Sequence, residues 1–157
     1  MPDVPNPHYF EDFKPGLCFE TGEKWISLEE IISFAREYDP QPIHTDEAYA
    51  VKTPFNGVIG SGIHMMGISM ALAANTVLKG SAAVASPGAE KLRFMAPLRA
   101  GTTVRGRLRI IDSKPSKTRT DRGNVSMSFE LFDGDTQLLE WVAIGIFMRD
   151  PARAPAN

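Results

Sequence analysis

The chain has 157 residues, 43% hydrophobic and 23% charged, the make-up of an ordinary globular protein long enough to bury a substantial core, and it reads as one domain over residues 1–157. A formal net charge of -2 leaves no basic signature for a nucleic-acid partner. Cys18 is the one cysteine, so an intrachain disulfide is excluded, and an opening without a basic, apolar and cleavable leader points to the reducing cytoplasm.

Residues 1–8, with three prolines, read as an irregular arm. Tyr9, Phe10 and Phe13 then dock the chain before Gly16. Leu17 to Ile26 is expected to be extended, with Leu17, Phe19 and Trp25 on one side and Glu20 and Lys24 on the other. Ser27-Leu28-Glu29-Glu30 has the form of a capping box, the serine oxygen accepting from an early helix N–H while Glu30 reaches back. Leu28, Ile31, Ile32, Ala35 and Tyr38 follow at helical spacing, so an amphipathic helix is predicted to end at Asp39. Thr45 or Asp46 is placed to cap a short helix that runs towards Pro54.

Thr53 to Leu78 contains no Asp, Glu, Lys or Arg. Pro54, Asn56, Ser61, His64, Ser69 and Asn75 break it up, and it never reaches the roughly 18 consecutive apolar residues of a membrane span. Ile63, Met66, Gly67, Met70, Ala71, Ala74 and Leu78 predict instead a helix apolar nearly all round, which belongs inside the domain. Ser81 to Gly88 reads as a loop of small residues.

From Glu90 onward the period becomes that of strands. Leu92, Phe94 and Ala96 alternate with Lys91, Arg93 and Met95; Val104, Leu108 and Ile110 with Arg105, Arg107 and Arg109; Val125, Met127, Phe129 and Leu131 with Asn124, Ser126, Ser128 and Glu130. Asp133-Gly134 predicts a hairpin turn, and Gln137 to Met148 a last strand apolar on both faces, suited to a central or interface position. Residues 151–157 read as a tail. A strand, then helices, then long antiparallel strands favour an α+β layer arrangement.

Chemistry concentrates between Asp39 and Gly62. Two prolines beside Asp39 and His44 hold the backbone extended and put both residues on a stiff loop. The Gly60-Ser61-Gly62 turn feeds the apolar helix, so unpaired N–H groups sit at the positive end of a helix dipole, where a developing oxyanion is stabilised. Taken alone each residue has a plainer reading: His44 as a packed side chain, Asp39 as a turn or cap, Gly62 as a tight turn, Ser61 as a structural hydroxyl. Together they form an acid–base site beside a carbonyl. His8, His44 and His64 lack zinc-ligand spacing, so no metal is expected, and His64 reads as a core or interface histidine. The Arg105, Arg107 and Arg109 face is either solvated or paired across strands, with some of it available to phosphates.

The run Asp39-x-x-Pro42-Ile43-His44, with Ala50 and then Ile59-Gly60-Ser61-Gly62-Ile63-His64, resembles the hydratase 2 motif of MaoC-like dehydratases, the (R)-specific enoyl-CoA hydratases. Tyr9-Phe10-Glu11-Asp12-Phe13-Lys14-Pro15-Gly16 and Phe94-Met95-Ala96-Pro97-Leu98-Arg99-Ala100-Gly101 are similar to the same family, so the likeness covers nearly the whole chain. The family pattern has Asn where Gln41 stands, and more often His where Ser61 stands. The resemblance implies an α+β hot-dog fold, an antiparallel β-sheet wrapped around a long central apolar helix. It also implies homodimers through sheet edges, or dimers of dimers and trimers of dimers, with active sites at or near the dimer interface.

For the site, the resemblance implies Asp39 and His44 as catalytic residues, the Gly62 backbone N–H as oxyanion hole, and Gln41 and Ser61 as substrate-binding or supporting groups. The substrate would be an acyl-CoA or acyl-carrier-protein thioester, with no cofactor, and the reaction hydration of a trans-2-enoyl thioester to an (R)-3-hydroxyacyl thioester. Which of Asp39 and His44 donates the α proton is not decided by sequence. Two alternatives stand beside this: thioester hydrolysis, which hot-dog proteins also perform, and acyl-thioester binding without chemistry.

Overall fold

Ser27 ends the first strand and starts the first helix. In the computed structural model, which describes residues 9–153, strand β1 (Cys18–Ile26) runs into helix α1 (Leu28–Tyr38), whose Glu30 N–H donates to the Ser27 hydroxyl at 2.9 Å. Only this half of the capping box forms, because the Glu30 carboxylate turns to Lys24 and His64 instead of reaching back. Two single-turn helices, α2 (Pro42–Thr45) and α3 (Glu47–Ala50), lead to helix α4 (Gly62–Ala73), which passes through a wide turn at Ala74–Leu78. Strands β2 (Ala83–Phe94), β3 (Thr102–Pro115), β4 (Arg122–Asp133) and β5 (Thr136–Met148) complete the described residues. The irregular arm expected over residues 1–8, with His8, and the tail end 154–157 lie outside them.

The five strands form one antiparallel sheet in the order β1-β3-β4-β5-β2. Its inner face carries the alternation read from β3 and β4: Val104, Leu108, Ile110, Val125, Met127, Phe129 and Leu131 are all buried. Helix α4 lies on that face, with Met65, Ile68 and Ala73 turned into the core. Phe10 and Phe13 dock as expected, Phe13 against the ring of Phe147 at 4.2 Å. Gly134, at φ +53, makes the turn between β4 and β5. On the outer face Arg105 and Arg107 meet Glu20, while Arg107 and Arg109 meet Glu130, so the basic stripe is paired across β1, β3 and β4.

Four expectations change. A bulge between Glu20 and Glu23 shifts the phase of β1, so Ile26 is buried and Trp25, expected to face inward, is 61% exposed. Tyr38, assigned to the buried face of α1, is also exposed. Ser81 to Gly88 is largely strand, not loop, and Leu92 and Phe94, expected on a buried face, are exposed: β2 is an edge strand without a buried face, so the alternation of Leu92 and Phe94 with Lys91 and Arg93 marks no inward side. Helix α4 is not enclosed. With no polar face it covers the sheet on one side and leaves Ile63 (55% exposed) and Met70 open on the other. Phe34, Tyr38, Met66 and Trp141 extend that open side into an apolar groove.

Candidate active site

Pro40 cannot continue α1, so the helix stops at Asp39, whose N–H donates to the Ala35 carbonyl at 2.9 Å. Gln41, extended ahead of a proline, leads to Pro42 at the first position of α2. His44 therefore sits on a helical turn and not on the stiff extended loop expected from its prolines. The preset φ of Pro42 suits the first turn of a helix, and Asp46 closes the segment by capping α3 through the Tyr49 N–H at 3.0 Å.

This turn directs the His44 imidazole, 7% exposed, between two oxygens. Its Nδ1 is 2.7 Å from the Ile59 carbonyl, which can only accept, so Nδ1 carries a proton and in the neutral ring Nε2 presents a lone pair. That Nε2 faces Oδ2 of Asp39 at 3.6 Å, beyond hydrogen-bond length. Asp39 accepts the Ser61 hydroxyl at 2.6 Å and the Gln41 side-chain amide at 2.7 Å. The Ser61 bond first and the Gln41 bond second hold its carboxyl below the usual carboxylate range, against partial burial, with the nearby His44 adding to the effect.

Ser61 is the N-cap residue of α4 yet caps nothing, because its hydroxyl goes to Asp39. The first N–H groups of α4 keep no side-chain partner, and Gly62 N–H opens the helix. A Cβ at Gly62 would collide with the tip of the Phe94 ring, so any side chain here has to push that ring aside. Asp39, Gln41, His44, Gly62, Met65 and Phe94 line one cavity of about 370 Å³. Ser61, fully buried, stands behind Asp39 and supports it.

All four side chains singled out between Asp39 and Ser61 are thus brought together with Gly62. His64 is not: it turns away to Glu30, stacked on Phe34. Among the described residues no group of three potential ligands could hold a metal ion. Sequence reading missed Phe94, which its alternation assigned to a buried face, and the Ile59 carbonyl, which orients His44 through a backbone atom that no residue type signals.

The profile of the MaoC like domain matches residues 15–130, and the chain belongs to that family. It is 35% identical over 112 residues to the 3-hydroxybutyryl-CoA dehydratase of Methylorubrum extorquens, 71% of this chain and 69% of the relative. It is likewise 35% identical over 111 residues to the (R)-specific enoyl-CoA hydratase of Rhodospirillum rubrum, 70% of this chain and 74% of that one. The crystal structure of the MaoC-like dehydratase from Rhodospirillum rubrum superimposes with a TM-score of 0.85 at 28% identity, over 91% of this chain and 98% of its own. The fold is the α+β hot-dog fold of these proteins.

Proposed function

We propose that the chain catalyses the reversible hydration of trans-2-enoyl thioesters to (R)-3-hydroxyacyl thioesters. One juxtaposition carries this reading: His44, its Nδ1 held by the Ile59 carbonyl, and Asp39, its carboxyl held below the usual range, line the same cavity as Gly62 at the N-terminus of α4. The names of the relatives and the family itself support it, and the (R) configuration follows from them.

A thioester oxygen bound at Gly62 N–H places the conjugated chain in the cavity. Water between His44 and Asp39 attacks the β carbon, and the electron pair of the double bond moves towards the thioester oxygen, where the N–H and the helix dipole stabilise it. The water proton goes to His44 Nε2, and the ionised Asp39 stabilises the imidazolium. Asp39 starts without a proton, so the one returned to the α carbon is the one His44 has just taken, and H and OH both come from one water. A well-placed acid or base of this kind contributes about a hundredfold to ten-thousandfold.

No cofactor enters this reaction. CoA and acyl-carrier protein both present the thioester it needs. The open apolar side of α4 and the long edge strand β2 suit a second copy of the chain, and the single cysteine suits the cytoplasm. The test follows the absorbance of crotonyl-CoA and longer trans-2-enoyl-CoAs mixed with the purified protein. Loss of the conjugated double bond supports the reading; no loss on any chain length, with free thiol released from saturated acyl-CoAs, replaces it with thioester hydrolysis.

A further inference from the structure

The two halves of the site ride on different helices. Asp39 ends α1 and Gly62 begins α4, so the angle between them depends on what locks these helices together. Behind the site one side chain does so. His64, in the first turn of α4 and 4% exposed, places Nε2 3.1 Å from Glu30 Oε1 on α1. Its ring stacks on Phe34 of the same helix, 4.3 Å between centroids and 10° from parallel. Glu30 is itself fastened to β1, with its second oxygen 3.0 Å from Lys24 Nζ, and by its own N–H to Ser27. Lys24, Glu30 and His64 therefore tie β1, α1 and α4 at one point.

A second observation separates this arrangement from ordinary packing. A carboxylate only accepts, so His64 Nε2 carries the proton and Nδ1 is left as a lone pair. That Nδ1 is buried and has no partner among the described residues. An unsatisfied buried acceptor is unfavourable for the fold, and an apolar side chain of similar size would remove the penalty. Histidine at this position serves something other than stability.

We infer that His64 is a positioning residue which, through Glu30 and Phe34, holds the first turn of α4 against α1 and so aligns Gly62 N–H and Ser61 with Asp39. This rests on the hydratase reading for its kinetic test and on geometry alone for its spectroscopic one. Without the lock, α4 slides on α1 and the Ser61–Asp39 bond lengthens. The oxyanion contact, made fully only as charge develops, weakens.

The experiment compares wild type, His64→Leu and His64→Gln, the last keeping an amide donor for Glu30. His64→Leu is expected to lower kcat about tenfold or more with KM within about threefold, since the lost contact belongs to the transition state. Its Tm should stay level or rise as the orphan nitrogen disappears. His64→Gln should recover most of the lost kcat. A residue that only packs would lose Tm and kcat together, without rescue by Gln; that result, or an unchanged kcat in His64→Leu, overturns the inference. Titration of the Asp39 carboxyl by ¹³C NMR needs no substrate: in His64→Leu it should move up towards the ordinary carboxylate range, and an unmoved titration overturns the inference even if the wild type hydrates nothing. Failure of the wild type on every enoyl-CoA would remove the hydratase reading alone. Glu30→Ala breaks the same lock from α1 and should reproduce the effect should His64→Leu fail to fold.

Discussion

The Ser61 hydroxyl donates to Asp39 at 2.6 Å across 22 positions of the chain, and in doing so leaves the N-terminus of α4 without a side-chain cap. That hydrogen bond holds the Asp39 carboxyl below the usual carboxylate range. Ser61→Ala tests this effect. With that hydrogen bond gone, the Asp39 carboxyl should titrate at higher pH than in wild type, so the ionised form is lost sooner as pH falls. ¹³C NMR of the carboxyl reads the shift, and a titration unchanged from wild type would show that Ser61 does not hold Asp39 ionised.

Asp39→Asn keeps the shape of the side chain but removes the charge facing His44. We expect kcat to fall about a hundredfold to ten-thousandfold on crotonyl-CoA, with little change in the thermal transition. His44→Gln should do the same, because it takes away the Nε2 lone pair that Ile59 orients. Initial rates followed by absorbance, beside a melting curve for each variant, check both; near-normal rates in either variant would break the mechanism.

Phe94 and Gly62 share one space. Gly62→Ala should therefore collapse kcat/KM, since a methyl group there drives against the ring of Phe94. If that collision is the cause, Phe94→Ala combined with Gly62→Ala should recover part of the loss, giving a coupling of about 0.5–3 kcal/mol in a double-mutant cycle. Strict additivity of the two losses would mean that the ring and the glycine act separately.

Gly123 on β4 is overlaid by the ring of Phe10, with no room for a Cβ between them. Gly123→Ala should lift the docked N-terminal turn and destabilise the fold by about 1–3 kcal/mol, read from urea unfolding with an unchanged m-value. Its catalytic constants should stay at wild-type values, because the docked turn lies away from the cavity.

Helix α4 exposes Ile63 and Met70 beside Phe34 and Tyr38, an apolar surface that a second copy would cover. Sedimentation velocity should find wild type as a dimer or larger, and Met70→Asp as a smaller species. A wild type that sediments as a single chain would remove the dimer.

Much of this was legible from residue order. The capping serine at Ser27, the end of α1 before Pro40, the inner faces of β3 and β4 and the turn at Gly134 follow from local rules that act within a few residues. So did the candidacy of Asp39, His44, Ser61 and Gly62, whose spacing resembles a known motif. Gln41 and Ser61, the two places where the chain departs from that pattern, turn out to be the two donors to Asp39.

Other features depended on partners far along the chain. The bulge that turns Trp25 outward arises in the pairing of β1 with β3. The edge position of β2 hides the strand character of its first half, whose small residues face no core and so carry no alternation, and leaves the alternating Leu92 and Phe94 exposed. The tautomer of His44 is set by the carbonyl of Ile59, and the direction of Glu30 by Lys24 and His64. By itself, the sequence determined which residues could form an acid–base site and the local elements that carry them. Only the tertiary structure decided which oxygen each nitrogen meets, because those meetings lie across the α1–α4 contact and the sheet, where hydrogen-bond geometry is made by packing and not by neighbouring residues.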